Sequence, residues 1–159
     1  MKGFTLIELM ISVTLLMIFT VSGAIYLNNF NTKQKLDRVK SEVESLVRLA
    51  QNFAKVRQYP AGGSGEVNYV GLSKSATGNI EIVVNGVGES YVSTKINESG
   101  LVVTLNPTTM YFWGGTGHLS SNINGNFFGP NQKANITISL NQGIAETRVV
   151  IINFLGGVE

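Results

Sequence analysis

Glu8 is the first residue whose position asks for a chemical explanation. It opens an apolar run, residues 9–27, that holds no other charge. A carboxylate carried into a bilayer costs about 3 kcal/mol, and such residues persist where they have a partner and a task. Elsewhere the inventory is thin. His118 is the only histidine, Asp37 the only aspartate, and cysteine is absent. The usual donor sets for zinc or for an Asp-rich calcium loop therefore cannot be assembled in the C-terminal part, and disulfides and thiol nucleophiles are excluded. Beside Gly117, His118 reads as a turn or surface residue. Gly62-Gly63-Ser64-Gly65 does not fit a nucleophile elbow, and Gly86-Val87-Gly88 and Gly115-Thr116-Gly117 lack the third glycine of a dinucleotide fingerprint. Glu66, Glu81, Glu89 and Glu98 are spaced as strand or turn residues rather than as an acid and base pair. The residue inventory argues against an enzyme and calls for no cofactor.

The elements that would carry these residues are set out by charge. Residues 1–32 contain only Lys2 and Glu8; residues 33–57 hold seven basic against three acidic side chains; residues 58–159 hold four against six. Charged residues make up 14% of 159, well below the roughly 25% of soluble chains. Much of the deficit lies in residues 9–27, whose nineteen positions make a helix close to the ~30 Å thickness of a bilayer's hydrocarbon. A chain of this length cannot supply a domain large enough to bury that helix instead. An ordinary signal peptide, with Lys2 as its basic end and Ser22-Gly23-Ala24 as the cleavage site, is the alternative, and Glu8 speaks against it.

Leu36, Val39, Val43, Leu46, Ala50 and Phe53 recur at steps of three and four, which continues the helix as an amphipathic one to about Arg57, ahead of Tyr59-Pro60. No proline interrupts it, and Gly23 is its expected weak point. After the flexible joint 61–65 come short apolar runs at 67–72, 80–84, 91–96, 101–105, 110–113, 136–140 and 147–154, with Asn85-Gly86 and Asn124-Gly125 as turn signals. The expected fold is α+β: a long N-terminal helix packed on a C-terminal antiparallel β-sheet or small sandwich. Within Met110-Tyr111-Phe112-Trp113, alternation places Met110 and Phe112 on one face and Tyr111 and Trp113 on the other, one pair in the core and one free for the surface.

Lys2-Gly3-Phe4-Thr5-Leu6-Ile7-Glu8-Leu9, followed by the apolar helix, resembles the class III signal of type IV pilins and type II secretion pseudopilins. The resemblance implies a leader of residues 1–3, cleavage between Gly3 and Phe4 by a membrane prepilin peptidase, and N-methylation of the Phe4 amine. It divides the rest into an assembly helix of residues 4–32, an amphipathic continuation over 33–58 and a β-rich head over 59–159. Once freed, the Phe4 amine lies one turn from Glu8 at the positive end of the helix dipole, where a carboxylate is favoured. Pairing within one subunit and pairing with a neighbour's Phe4 amine, which would set the axial register of a filament, both remain open. Cleavage also removes Lys2, the cytoplasmic positive anchor. Small residues Ser12, Ser22, Gly23 and Ala24 offer places for close helix approach.

The implied partners are the prepilin peptidase, other pilin or pseudopilin subunits, an inner-membrane assembly platform and the membrane itself, with the head outside the cytoplasm and later in a filament. The rival is a secreted or tethered β-domain binding module that uses residues 1–27 only as signal or anchor. Lys33, Lys35, Arg38 and Lys40 beside the membrane could meet lipid headgroups or nucleic acid, but Asp37, Glu42 and Glu44 dilute their field and no aromatic platform accompanies them. The tail, a strand 136–140 and a last strand closing on Leu155-Gly156-Gly157-Val158-Glu159, is similar to the end of the GspH/FimT family of minor pseudopilins and minor pilins. Where DNA-binding members carry basic residues, this chain has Gly157, Val158 and Glu159, which disfavours nucleic acid. The missing aspartates disfavour a calcium-binding major pseudopilin, and the absence of cysteine rules out a disulfide-closed pilin loop. With a prokaryotic source implied, the glycosylation patterns Asn97-Glu98-Ser99 and Asn135-Ile136-Thr137 are chance matches.

Overall fold

The computed structural model describes residues 5–57, 66–74, 80–84, 90–91, 100–122, 126–140 and 146–159. It comprises two compact units, Met1–Lys35 and Leu36–Glu159. One helix, α1 (Leu6–Val56), contributes to both. Gly23 lies within it without interrupting it.

In the first unit the helix is apolar on every side over residues 9–27, where its described side chains are exposed, and polar over residues 28–35 apart from Phe30. The second unit contains the remaining turns of α1 and two antiparallel sheets. Leu36, Val39, Val43, Leu46, Val47, Ala50 and Ala54 are buried in one cluster with side chains from both sheets. This stripe is wider than the expected one. Val47 and Ala54 belong to it, while Phe53 is only partly buried at its margin, because a helix facing two sheets needs a broader apolar arc than a single row of three- and four-residue steps.

The strands are β1 (Tyr69–Lys74), β2 (Ile80–Val84), β3 (Ser90–Tyr91), β4 (Leu101–Asn106), β5 (Thr109–Trp113), β6 (Leu119–Ser120), β7 (Lys133–Leu140) and β8 (Thr147–Asn153). They pair in the orders β3-β2-β1-β5-β6 and β4-β7-β8. Strand β4 belongs to the second sheet although its neighbours in sequence, β3 and β5, lie in the first, so the chain crosses between sheets on both sides of it. The later crossing passes through Asn106–Pro107, a cis peptide. Inward positions alternate cleanly: Val70 and Leu72 on β1, Ile80, Ile82 and Val84 on β2, Met110 and Phe112 on β5, Ala134, Ile136 and Ile138 on β7, and Val150 and Ile152 on β8. The register seats them on one face of each sheet, with Val70 opposite Phe112 and Ile136 opposite Val150.

The α+β class holds, in its two-sheet form. Strand β7 starts three residues earlier than expected because Lys133 and Asn135 face outward and interrupt the apolar signal. Strand β6, two residues long, was not expected at all. Of the run expected at 91–96 only Tyr91 is described, in β3. The Gly-rich joint 61–65, Tyr59-Pro60, Asn85-Gly86 and Asn124-Gly125 lie outside the described residues, as do Gly86-Val87-Gly88 and Asn97-Glu98-Ser99.

Candidate functional site

The N-terminal helix begins with a reciprocal cap. Thr5 precedes the first helical residue and Glu8 sits three residues on, the spacing of a capping box. The Glu8 N–H donates to Thr5 Oγ1 at 3.4 Å, the Thr5 N–H donates to Glu8 Oε2 at 3.5 Å, and the Thr5 hydroxyl lies 3.4 Å from the same carboxylate oxygen. The Thr5 N–H thereby gains an acceptor, and the Glu8 N–H, which also donates to the Thr5 carbonyl at 3.1 Å, gains a second one. Gly3 and Phe4, the expected cleavage and methylation positions, lie outside the described residues. Glu8 therefore has a local partner in Thr5, which the reading of its spacing to Phe4 did not consider, although Thr-x-x-Glu is visible in the sequence.

Beyond the cap, the serines and threonines of the apolar stretch turn their hydroxyls back onto their own helix. Ser12 donates to the Glu8 carbonyl at 2.8 Å, Thr14 to Ile11 at 2.8 Å, Thr20 to Leu16 at 2.7 Å and Ser22 to Ile18 at 2.9 Å. These bonds satisfy the four aliphatic hydroxyls within the helix, which is what a hydrocarbon environment requires. The helix is long and apolar enough to cross a bilayer.

At its other end α1 is closed by the head. Val56 is the last helical residue and Arg57 turns into the left-handed region at φ 51°. The Ala54 carbonyl accepts from the Arg57 N–H at 3.2 Å and from the Gly115 N–H at 2.8 Å. Gly115-Thr116-Gly117 thus serves as part of a helix-docking turn. Its neighbour Gly114 donates to Asn68 O at 2.7 Å, and a Cβ there would come within 2.3 Å of the Val67 carbonyl oxygen. His118 follows in the same turn, half-buried, with its carbonyl accepting from Trp113 N–H at 3.0 Å.

The tail is bound internally. Gln51 on α1 donates to Leu155 O at 2.8 Å, Leu119 N–H to Phe154 O at 3.0 Å, and Glu159 N–H to Ile151 O at 3.0 Å. Gly156, at φ 82°, passes so close to the Gly117 carbonyl that a Cβ would sit 2.4 Å from it. Arg148 Nε lies 2.6 Å from Asp37 Oδ1, which ties β8 to α1, and that bond raises the guanidinium's pKa further. Lys133 pairs with Glu159 and holds its carboxyl below the usual carboxylate range. Val158 bridges to Ile152. Gly157, Val158 and Glu159 are thus all engaged with strand β8.

On the outer face of the five-stranded sheet, Tyr111 and Trp113 point away from the core as alternation requires, and two further rings join them. Tyr69, opposite Trp113, lies 5.5 Å from Tyr111 and 6.5 Å from Trp113 between ring centroids. Phe127 approaches Trp113 at 5.7 Å and His118 at 6.3 Å. Burial pushes the Tyr69 phenol up, and Tyr111 adds to the shift. Among the described residues no group of three His, Asp or Glu side chains gathers as a metal site would need.

Residues 1–24 match the family model described as the prokaryotic N-terminal methylation motif. In three dimensions the chain is similar to the type IV minor pilin FimU of Pseudomonas aeruginosa, at 13% identity and a TM-score of 0.53, over 82% of this chain and 90% of that one. The chain carries a pilin methylation motif on a pilin fold. No curated protein matches it in sequence. At this identity the likeness to FimU speaks for the fold, and the methylation motif covers residues 1–24, which include most of the apolar stretch of α1.

Proposed function

We propose that the protein is a non-enzymatic structural subunit, a minor pilin or pseudopilin, of a type IV-family filament. The observation that carries this reading is the conjunction of the methylation motif over residues 1–24 with an exposed apolar helix on a pilin fold. In this reading the prepilin peptidase cuts after Gly3 and the Phe4 amine is methylated. The helix holds the subunit in the inner membrane with its head outside the cytoplasm. It then leaves lipid to pack against the helices of other subunits on the assembly platform, for secretion, adhesion, motility or uptake.

Glu8 then has two successive partners. In the isolated subunit the Thr5 cap holds it; in the filament it turns to a Phe4 amine, where charge pairing in low dielectric outweighs a long neutral cap. Mass spectrometry of the N-terminal peptide from native membranes tests processing. A methylated Phe4 is expected, whereas a start at Ile25 or an uncut Met1 supports the tethered binding module instead. For registry, Glu8→Ala is expected to leave cleavage at Gly3 intact while removing the subunit from sheared filaments; normal incorporation overturns that role.

A further inference from the structure

The aromatic ridge on the five-stranded sheet is not required by the core. Strands β1 and β5 already bury Val70, Leu72, Met110 and Phe112 on their other face. Yet the outer face brings together five rings, Tyr111 and Trp113 from β5 with Tyr69, His118 and Phe127 from elsewhere in the chain. Tyr69 and Trp113 lie near-parallel, 25° apart, and are flanked by rings standing edge-on, Tyr111 at 84° to Tyr69 and Phe127 at 76° to Trp113. Phe127, held beside β6 by its bridge to Ser120, is 50% exposed. An aromatic group of this size kept at a surface offers rigid π-faces with little side-chain entropy to lose on binding.

What surrounds the rings selects the ligand. The other outward positions on β1, β2 and β5 are Gly71, Ser73, Glu81, Val83 and Thr109. Glu81 is the single charge among them; of the basic side chains at the turn between Trp113 and His118, Arg57 is paired with Glu66 and Lys55 lies along Gly117, and residues 58–159 as a whole carry a net −2. A polyanion needs Lys or Arg beside the stacking rings to neutralise its phosphates. Neutral hydroxyls beside aromatic faces instead match a molecule with an apolar C–H face and a rim of hydroxyls. We propose that this ridge is a binding site for a neutral oligosaccharide, whose pyranose C–H faces lie on the Tyr69, Trp113 and Phe127 rings while its hydroxyls reach Ser73, Thr109 and nearby backbone. The site is independent of how the N-terminus is processed.

Trp113 is the only tryptophan in the chain, so its emission reports the ridge directly. The full chain, held in a detergent without a sugar headgroup, is titrated with cellohexaose, N-acetylchitohexaose, laminarihexaose, maltohexaose and a thymidine oligonucleotide. A saturable change with at least one of the four oligosaccharides is expected, weakened about ten-fold in Phe127→Ala and in Tyr69→Ala, the size of one lost ring-stacking contact, and restored in Tyr69→Phe. Phe127 is half-exposed, so its truncation leaves the core in place. No change with any of the four sugars, a response to the oligonucleotide alone, or undiminished sugar affinity in Phe127→Ala overturns the proposal.

Discussion

Two stretches of one helix meet opposite fates. Residues 9–27 are apolar around the whole circumference and expose their described side chains, while residues 36–56 confine their apolar side chains to a stripe and bury it in the head's core. The difference lies in the circumferential pattern, since apolar residues are abundant in both. A helix with one apolar arc can be completed by its own chain; a helix apolar all round needs an environment that surrounds it, such as lipid or other helices. Hydroxyls return to the helix backbone in both stretches, as Thr20 and Ser41 do, but in the second the amide of Gln51 and the carboxylate of Asp37 also reach out to the tail and to β8.

The contrast can be broken most severely at Val43, which is fully buried. Val43→Asp is expected to cost more than about 3 kcal/mol by placing an unpaired charge in the core, enough to remove the head's cooperative melting by near-ultraviolet circular dichroism. Leu16→Asp, at a position 69% exposed, is expected to leave that melting unchanged and to reduce membrane association on flotation. Equal effects at the two positions would erase the distinction.

Gly156→Ala comes next. The left-handed backbone and the 2.4 Å approach to Gly117 O predict a loss of about 1–3 kcal/mol in thermal unfolding of the head. Smaller and confined to the N-terminal end, Thr5→Ala is expected to weaken the start of α1 by about 1 kcal/mol, read as faster amide exchange over residues 6–9 with no change in head melting. The smallest effect is pH-dependent. Because Lys133 depresses the Glu159 carboxyl in the folded state, its contribution is present above the ordinary carboxylate value of about 4 and is lost as pH falls through the lowered one. Exchange at the Glu159 amide, corrected for intrinsic rates, should therefore rise on acidification, and Glu159→Gln should remove that dependence.

Much of this division was legible in the residues. The steps from Leu36 to Ala50 predict the buried stripe, and alternation in Met110-Tyr111-Phe112-Trp113 sorts core from surface correctly, because both signals are periodic within one element. Val47 and Ala54 were missed since they become core only when a second sheet arrives beside the helix. The docking role of Gly115 and Gly117 was hidden for a similar reason: a motif search compares glycines with phosphate loops, while here the partner is a helix end some sixty positions earlier in sequence. Tyr69 and Phe127 join Trp113 through strand pairing and a bridge to β6, neither of which local composition encodes. The Thr5 and Glu8 cap was readable from spacing alone and was overshadowed by the stronger pattern around Gly3 and Phe4.

The bond from Gln51 to Leu155 joins residues 104 positions apart. A contact of that span exists only after nearly all of the head has been made, and long-range closures of this kind slow folding because their chain entropy is lost before other contacts compensate. During synthesis the cluster that the stripe on α1 shares with both sheets thus stays incomplete until β8 and the tail are made. The head is therefore a domain that closes from its far end, and the apolar face of its helix must stay unaggregated for that whole interval.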